Sequence, residues 1–310
     1  FIDIYDAALH RLANQSGSVI ISVNYQKAPE HPFPIPFDDC YATLIWAREH
    51  AKELGIDPNR IGVGGDSAGG NLAAAVAIKA RDESIALHYQ LLVYPCIARD
   101  FATKSYNEYA TDFGLSTQAM KWYWAQYLQG SQHDENPYAV PMSAKSLAGV
   151  APSLVITAQY DPLVSDSENY CEKLKSDGAE VIYREFPGMI HGFFANVAAT
   201  PSSHLALDFA AEEMGVGQGG GNLGRGLAHA KADLHDYFLA LWKDLRKFYL
   251  LLGELNSMNL LQGIFGLSLG ICNSGAADTV ATYRWAFHGA TVSWLDKNLQ
   301  NHRRSNKCQV

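Results

Sequence analysis

The run Ile61-Gly62-Val63-Gly64-Gly65-Asp66-Ser67-Ala68-Gly69-Gly70-Asn71-Leu72 constrains this chain more than any other. Its centre, Gly65-Asp66-Ser67-Ala68-Gly69, is a G-x-S-x-G pattern. An apolar β-like run, Ile61 to Val63, precedes it, and an alanine-rich helical run, Asn71 to Ala80, follows. Strand, tight turn and helix in that order predict a nucleophile elbow. Such a turn demands small residues beside the serine, which accounts for Gly65 and Gly69. The bend lifts the Ser67 hydroxyl away from the backbone and aims a helix N-terminus at it. The backbone N–H of Ala68 then points to where an oxyanion would form.

A serine nucleophile needs a base, and the base needs an orienting acid. On α/β folds of this kind they follow in the order Ser, Asp or Glu, His. Ser153 to Thr157 reads as a strand, and Asp161-Pro162-Leu163 sits just past its C-terminal end. Val181 to Glu185 reads as another strand. It runs into Phe186-Pro187-Gly188-Met189-Ile190-His191-Gly192-Phe193-Phe194, which places His191 on a loop after the last strand. In open α/β sheets, sites gather at the carboxyl ends of strands. Ser67, Asp161 and His191 are therefore the candidate catalytic residues.

Four stretches carry a more specific resemblance: Asn24 to Pro34 (Asn-Tyr-Gln-Lys-Ala-Pro-Glu-His-Pro-Phe-Pro), Gly65 to Leu72, Asp161-Pro162-Leu163, and His191-Gly192-Phe193. In order and spacing the chain from Phe1 to about Met214 resembles the hormone-sensitive-lipase-like carboxylesterases. The resemblance implies an α/β-hydrolase fold, a mostly parallel sheet with helices on both faces and a helical cap insertion. It implies Ser67 as nucleophile, His191 as general base and acid, and Asp161 as the residue orienting His191. It also implies a small-molecule ester substrate with a short to medium acyl chain, and neither cofactor nor metal. That family carries a His-Gly-Gly-Gly loop upstream, whose amides complete the oxyanion hole. The present sequence opens at Phe1, downstream of where that loop would lie, so the resemblance implies a chain truncated at its N-terminus with impaired activity.

Composition narrows the classes. The chain has 310 residues, 48% of them hydrophobic, enough for a sizeable core. A net charge of −8 argues against nucleic acid as a general partner. No uninterrupted run of 18 or more apolar residues is present, so no stable membrane insertion is expected. The five cysteines (Cys40, Cys96, Cys171, Cys272, Cys308) have no C-x-x-C spacing and read as reduced thiols of a cytoplasmic protein. The opening Phe1-Ile2-Asp3 has no basic region of the signal-peptide type. The oligomeric state is left open, a homodimer included.

Along the chain, Asp6 to Gln15 reads as a helix stopped by Gly17, and Val19 to Asn24 as a β-branched strand. Asp39 to Leu54 reads as a helix, Ile61 to Gly64 as a strand and Leu91 to Tyr94 as another. The alternation predicts parallel β-α-β units. Residues 97 to 148 interrupt it with Tyr106, Tyr109, Phe113, Trp122, Tyr123, Trp124 and Tyr127, and match the family's cap. Near Gly215 the composition changes. Gly215 to Asn222 is linker-like, and residues 215–310 carry +4 against −12 for residues 1–214, together the chain's −8. Residues 1–214 are expected to form the sheet-containing hydrolase domain, and residues 215–310 to contribute no member of the triad. The tail is expected to hold a glycine-rich linker, a helix over Lys231 to Leu252, and apolar pieces of unclear role.

Rival motifs are weaker. Gly266-Leu267-Ser268-Leu269-Gly270, followed by Asp278 and His288, repeats the pattern at a spacing too short for the intervening elements of this fold. Gly219 to Gly221 reads as linker, and His229, Asp233 and His235 as solvated polar residues. His288-Gly289 begins a His-Gly pattern that Ala290 breaks. Glu30 and His31 read as part of a structural turn. The alternative to an esterase is a catalytically impaired or inactive hydrolase-like protein with a ligand-binding role or none; the retained His191 argues against the ligand-binding version, whereas the missing upstream loop argues for plain inactivity.

Overall fold

The computed structural model describes residues 2–215, together with the backbone of two strands at 267–272 and 282–284. The strands are β1 (Ser18–Val23), β2 (Ile61–Asp66), β3 (Gln90–Val93), β4 (Ser153–Tyr160), β5 (Val181–Ile190), β6 (Leu267–Cys272) and β7 (Thr282–Arg284). They form one sheet in the order β5-β4-β3-β2-β6-β1-β7. From β2 through β5 every pairing is parallel. Helix α4 (Ala68–Asp82) connects β2 to β3 and α7 (Val164–Ser176) connects β4 to β5, while the cap segment with its own helices connects β3 to β4, as parallel crossovers require.

Side-chain alternation along each strand divides the core into two layers. Ile21, Val63, Leu92 and Val155 face one layer, which packs against α2 (Ile35–Glu49), α3 (Ala51–Leu54), α4 and α7. Their neighbours Ile20, Leu91, Val93, Leu154, Ile156 and Ala158 face the other, under α1 (Asp6–Ser16) and α8 (Pro201–Met214). On that second face the Arg11 guanidinium grips the Asp208 carboxylate with Nε–Oδ1 2.7 Å and Nη2–Oδ2 2.8 Å, tying α1 to α8. The result is the three-layer α/β architecture expected from the sequence.

Apart from β5, strand ends shift by up to three residues from the sequence reading, β4 running on to Tyr160, and four differences bear on the site or the sheet. The helix expected over Asp39 to Leu54 begins at Ile35 and is divided at His50, whose φ of −99° and ψ of 14° leave helical geometry. It starts early because Pro36 lies in the first turn, where a missing N–H costs nothing. The helix after the elbow begins at Ala68, three residues ahead of the expected Asn71. Strand β5 does not stop at Glu185 but runs through Pro187 and Gly188 to Ile190. A register irregularity between Ala158 and Tyr160 absorbs those residues before pairing resumes at Tyr160–Ile190.

The fourth difference is the largest. Two strands of the sheet, β6 and β7, come from the tail, where only apolar pieces were read. Strand β6 lies antiparallel between β1 and β2, with Leu267 opposite both Val23 and Gly65. A gap there would leave the facing edges of β1 and β2 unpaired in the middle of the sheet, a cost that any extended, alternating segment removes. Ser268, the serine of the second G-x-S-x-G, is thus a mid-strand residue paired with Ser22 and Gly64 rather than the apex of a turn. Beyond Gly215, the linker expected to 222, the helix at Lys231 to Leu252, and His229, Asp233, His235, Asp278 and His288 lie outside the described residues.

The cap expectation over 97–148 corresponds to α5 (Lys104–Glu108), α6 (Thr117–Leu128) and a short 3₁₀ turn at Pro141–Ser143. Its aromatics divide between core and surface. Tyr106 and Trp124 are buried in the first core layer, whereas Trp122 and Tyr123 are exposed. Glu30 and His31 fall at the exposed turn after β1, and the His31 amide donates to the Lys27 carbonyl at 2.9 Å. Among the described residues, no helix is long and apolar enough to cross a membrane. Nor do three His, Cys, Asp or Glu side chains there gather as a metal site.

Candidate active site

Strand β2 ends at Asp66, and Ser67 turns with φ 55° and ψ −115° into α4. A non-glycine residue at positive φ is strained, and such strain persists only where the surroundings over-determine it. Here they do. The Ser67 amide donates to the Val93 carbonyl at 2.9 Å, and its carbonyl accepts from Asn71 at 3.1 Å and Cys96 at 3.2 Å. A Cβ on Gly65 would stand 2.3 Å from the Gly69 carbonyl carbon and oxygen, and one on Gly70 would stand 2.8 Å from Pro95 Cβ. These close approaches are the physical content of the glycine pattern. Gly65→Ala is expected to destabilise the protein by about 3 kcal/mol or more, since backbone cannot yield as a side chain does. A denaturant melt would read it as a lower midpoint with loss of ester hydrolysis; an unchanged midpoint would refute the packing argument.

Asp161 and His191 follow the ends of neighbouring strands, β4 and β5. Their backbones are brought level by the Tyr160–Ile190 pair. His191 Nδ1 lies 2.7 Å from Asp161 Oδ2, and His191 Nε2 lies 2.8 Å from Ser67 Oγ. Because a carboxylate only accepts, Nδ1 carries the proton and Nε2 is left to accept from the serine hydroxyl. Asp161 is fully buried, and its second oxygen accepts the Leu163 amide at 2.9 Å. Of the predicted site residues, Ser67, His191 and Asp161 thus form one hydrogen-bonded row. Ala68 occupies the first helical position of α4, where its N–H has no carbonyl one turn back to receive it. Asp66 sits at the end of β2, immediately before Ser67. It is buried within reach of the Tyr5 hydroxyl at 3.3 Å and the Tyr94 hydroxyl at 3.4 Å.

The structure adds residues that the sequence reading passed over. Cys96 Sγ lies 3.7 Å from Ser67 Oγ, and burial raises its pKa, so it stands there as a neutral thiol. Asn71, read only as part of the motif, donates to the carbonyls of Cys96 at 2.8 Å and Ala139 at 3.1 Å. It thereby fastens the cap segment to the elbow. The Tyr94 ring packs 4.6 Å from the His191 ring. Asp166, on α7, is buried and accepts the Ala98 amide at 3.3 Å, holding the segment that carries Cys96. These contacts join residues far apart in the chain, which is why no local signal announces them.

Burial holds the Asp166 carboxyl well above the usual carboxylate range; the amides of Ala98 and Ile97 oppose this, and Asp161 and Asp100 add to it. A carboxyl whose folded pKa is raised stabilises the fold below its unfolded value near 4, and that contribution is lost as pH rises toward the folded value. Asp166→Asn keeps an amide-accepting oxygen without the titration. Its denaturation midpoint is therefore expected to fall less between pH 5 and pH 8 than that of the parent chain; parallel pH profiles would count against the buried proton.

Residues 2–195 match a protein family described as the alpha/beta hydrolase fold. The chain belongs to the α/β-hydrolase fold family. The expected resemblance to hormone-sensitive-lipase-like carboxylesterases agrees with its relatives. It is 37% identical over 202 residues to the carboxylic ester hydrolase LipN of Mycobacterium tuberculosis, covering 62% of this chain and 53% of LipN. It is 36% identical to the carboxylesterase NlhH of the same organism over 76% of this chain and 70% of NlhH. Among solved structures, the thermophilic carboxylesterase EstE1, cloned from a metagenomic library, superposes with a TM-score of 0.66 at 39% identity, covering 69% of this chain and 74% of EstE1. The chain spans about half the length of LipN and somewhat more of the other two.

Proposed function

We propose that this protein is a serine carboxylesterase that hydrolyses short- to medium-chain acyl esters through Ser67, His191 and Asp161. The observation that carries this reading is the row of hydrogen bonds from Ser67 Oγ through the imidazole to Asp161, at 2.8 and 2.7 Å. The names of the relatives support the same chemistry. In the forward step Ser67 Oγ attacks the ester carbonyl carbon while His191 Nε2 takes the hydroxyl proton. The tetrahedral oxyanion is stabilised by the Ala68 N–H at the head of α4. The imidazolium, held by buried Asp161, passes its proton to the departing alkoxide, and the alcohol leaves. Water then repeats the sequence on the acyl-enzyme and frees the acid. No step draws on a metal or an organic cofactor, and no nucleic-acid or protein partner is required. The buried thiols of Cys40, Cys96 and Cys171 suit a reducing compartment such as the cytoplasm.

A graded series of p-nitrophenyl esters tests the substrate class. Highest kcat/KM is expected between acetate and octanoate, with palmitate at least ~10-fold lower, because a cap packed with buried Tyr106, Trp124 and Leu128 limits the length of the acyl site. A fluorophosphonate probe should label the tryptic peptide containing Ser67 and no other. Labelling elsewhere, or a maximum at palmitate, would overturn the assignment.

A further inference from the structure

The reaction proposed above fixes where the two halves of an ester must lie. The alcohol oxygen receives its proton from His191 Nε2, so the alcohol group occupies the His191 side of Ser67. The strand ends that deliver Asp161 and His191 have their own construction. Ile190 and Tyr160 immediately precede His191 and Asp161 and face each other across the β4–β5 ladder. From the cap, Phe113 stacks on Tyr160 with ring centroids 5.3 Å apart and planes 16° from parallel. Tyr109 meets both rings edge-on, at 5.3 Å from Phe113 and 5.7 Å from Tyr160. Gly114, at φ 86°, brings the cap backbone to Ile190, so that a Cβ there would lie 3.5 Å from Ile190 Cδ1.

None of these side chains is used up by the core. Ile190 is 44% exposed, and Tyr109, Phe113 and Tyr160 are half-buried. A cluster of three rings and an isoleucine that keeps part of its surface in water is carried on the residues immediately before Asp161 and His191, an apolar surface at the strand ends that deliver the acid and the base. Flat rings in offset and edge-on arrangement accept a further ring by the same quadrupole geometry that holds them together. A linear alkyl chain gains only the area it covers.

We infer that Tyr109, Phe113, Tyr160 and Ile190 form a leaving-group subsite that selects esters of aromatic alcohols. The inference rests on the esterase reading, and the two fail differently. Benzyl acetate and n-butyl acetate share an acyl group and release alcohols of similar acidity, so their ratio of kcat/KM reads the alcohol site alone. The parent chain should favour benzyl acetate, and in Phe113→Leu and Tyr160→Leu the ratio should fall about fivefold, the size of one aromatic pairing. A parent chain without benzyl preference, or variants that lose both esters in equal proportion, would overturn the subsite and leave the cluster as a cap fastening. A second measurement does not need turnover. In saturation-transfer NMR, benzyl alcohol should bind the Ser67→Ala chain, and Phe113→Leu in that background should weaken it. A chain that hydrolyses neither ester yet binds benzyl alcohol in this Phe113-dependent way would sink the esterase reading alone; absence of binding would sink the subsite.

Discussion

Ser67→Ala is expected to lower kcat for p-nitrophenyl acetate by ~10⁴- to 10⁶-fold, the range found when the nucleophile of a serine triad is removed. The substitution deletes a single oxygen. That oxygen is the atom 2.8 Å from His191 Nε2 and 3.7 Å from Cys96 Sγ, and nothing else in the row could take its place as a nucleophile. Cys96 is the nearest rival, but burial keeps its thiol protonated, and a neutral thiol is the inert form. The fold should survive. Alanine at φ 55° meets the same strain as serine, and the backbone bonds to Val93, Asn71 and Cys96 do not involve the side chain. The cost to stability is therefore one hydrogen bond, ~1 kcal/mol. Turnover and a denaturant melt on the same preparation separate these effects. Activity within tenfold of the parent would remove Ser67 from the reaction. Loss of activity with a collapsed melt would point to the turn instead.

How much of this was legible in the chain follows the range of the interactions involved. The elbow was legible because its constraint is local: Gly65 and Gly69 touch across a single turn, so spacing alone encodes them. The two other members of the row were legible because each follows a β-branched strand, and strand ends in a parallel sheet converge. The run Phe186-Pro187-Gly188 misled, since proline and glycine read as a stop. The irregularity near Ala158 and Tyr160 let strand pairing continue beyond them, and it is this continuation that sets Ile190 opposite Tyr160 and His191 beside Asp161. Strand β6 was not recognised. Leu267, Leu269 and Ile271 do alternate at the strand period, but the run was read as a chance G-x-S-x-G match, and its place between β1 and β2 depends on pairing with residues more than 200 positions away. Asn71, Cys96 and Asp166 were missed for the same reason: their partners lie 25 residues or more away in the chain.

Asp161→Asn is the sharper test of the row, because it alters charge and tautomer while leaving shape almost intact. In the parent, Oδ2 accepts from His191 Nδ1–H at 2.7 Å, and Oδ1 accepts the Leu163 amide at 2.9 Å. Asparagine has one oxygen for these two donors. The Leu163 amide is fixed by the backbone turn into α7, so the oxygen stays with it and the NH₂ group faces the imidazole. His191 must then present a bare Nδ1 and carry its proton on Nε2, which turns the base into a donor toward Ser67. The imidazolium formed during attack also loses its buried counter-charge, a strong effect at a carboxylate with no exposure to water. A fall of ~10⁴-fold in kcat is expected, with KM changed far less, since substrate contacts are untouched. Asp161→Asn should melt close to the parent, as volume and the Leu163 bond are kept. A loss of less than tenfold would mean that His191 is oriented by something else, and the Tyr94 ring packed 4.6 Å from it would be the first place to look.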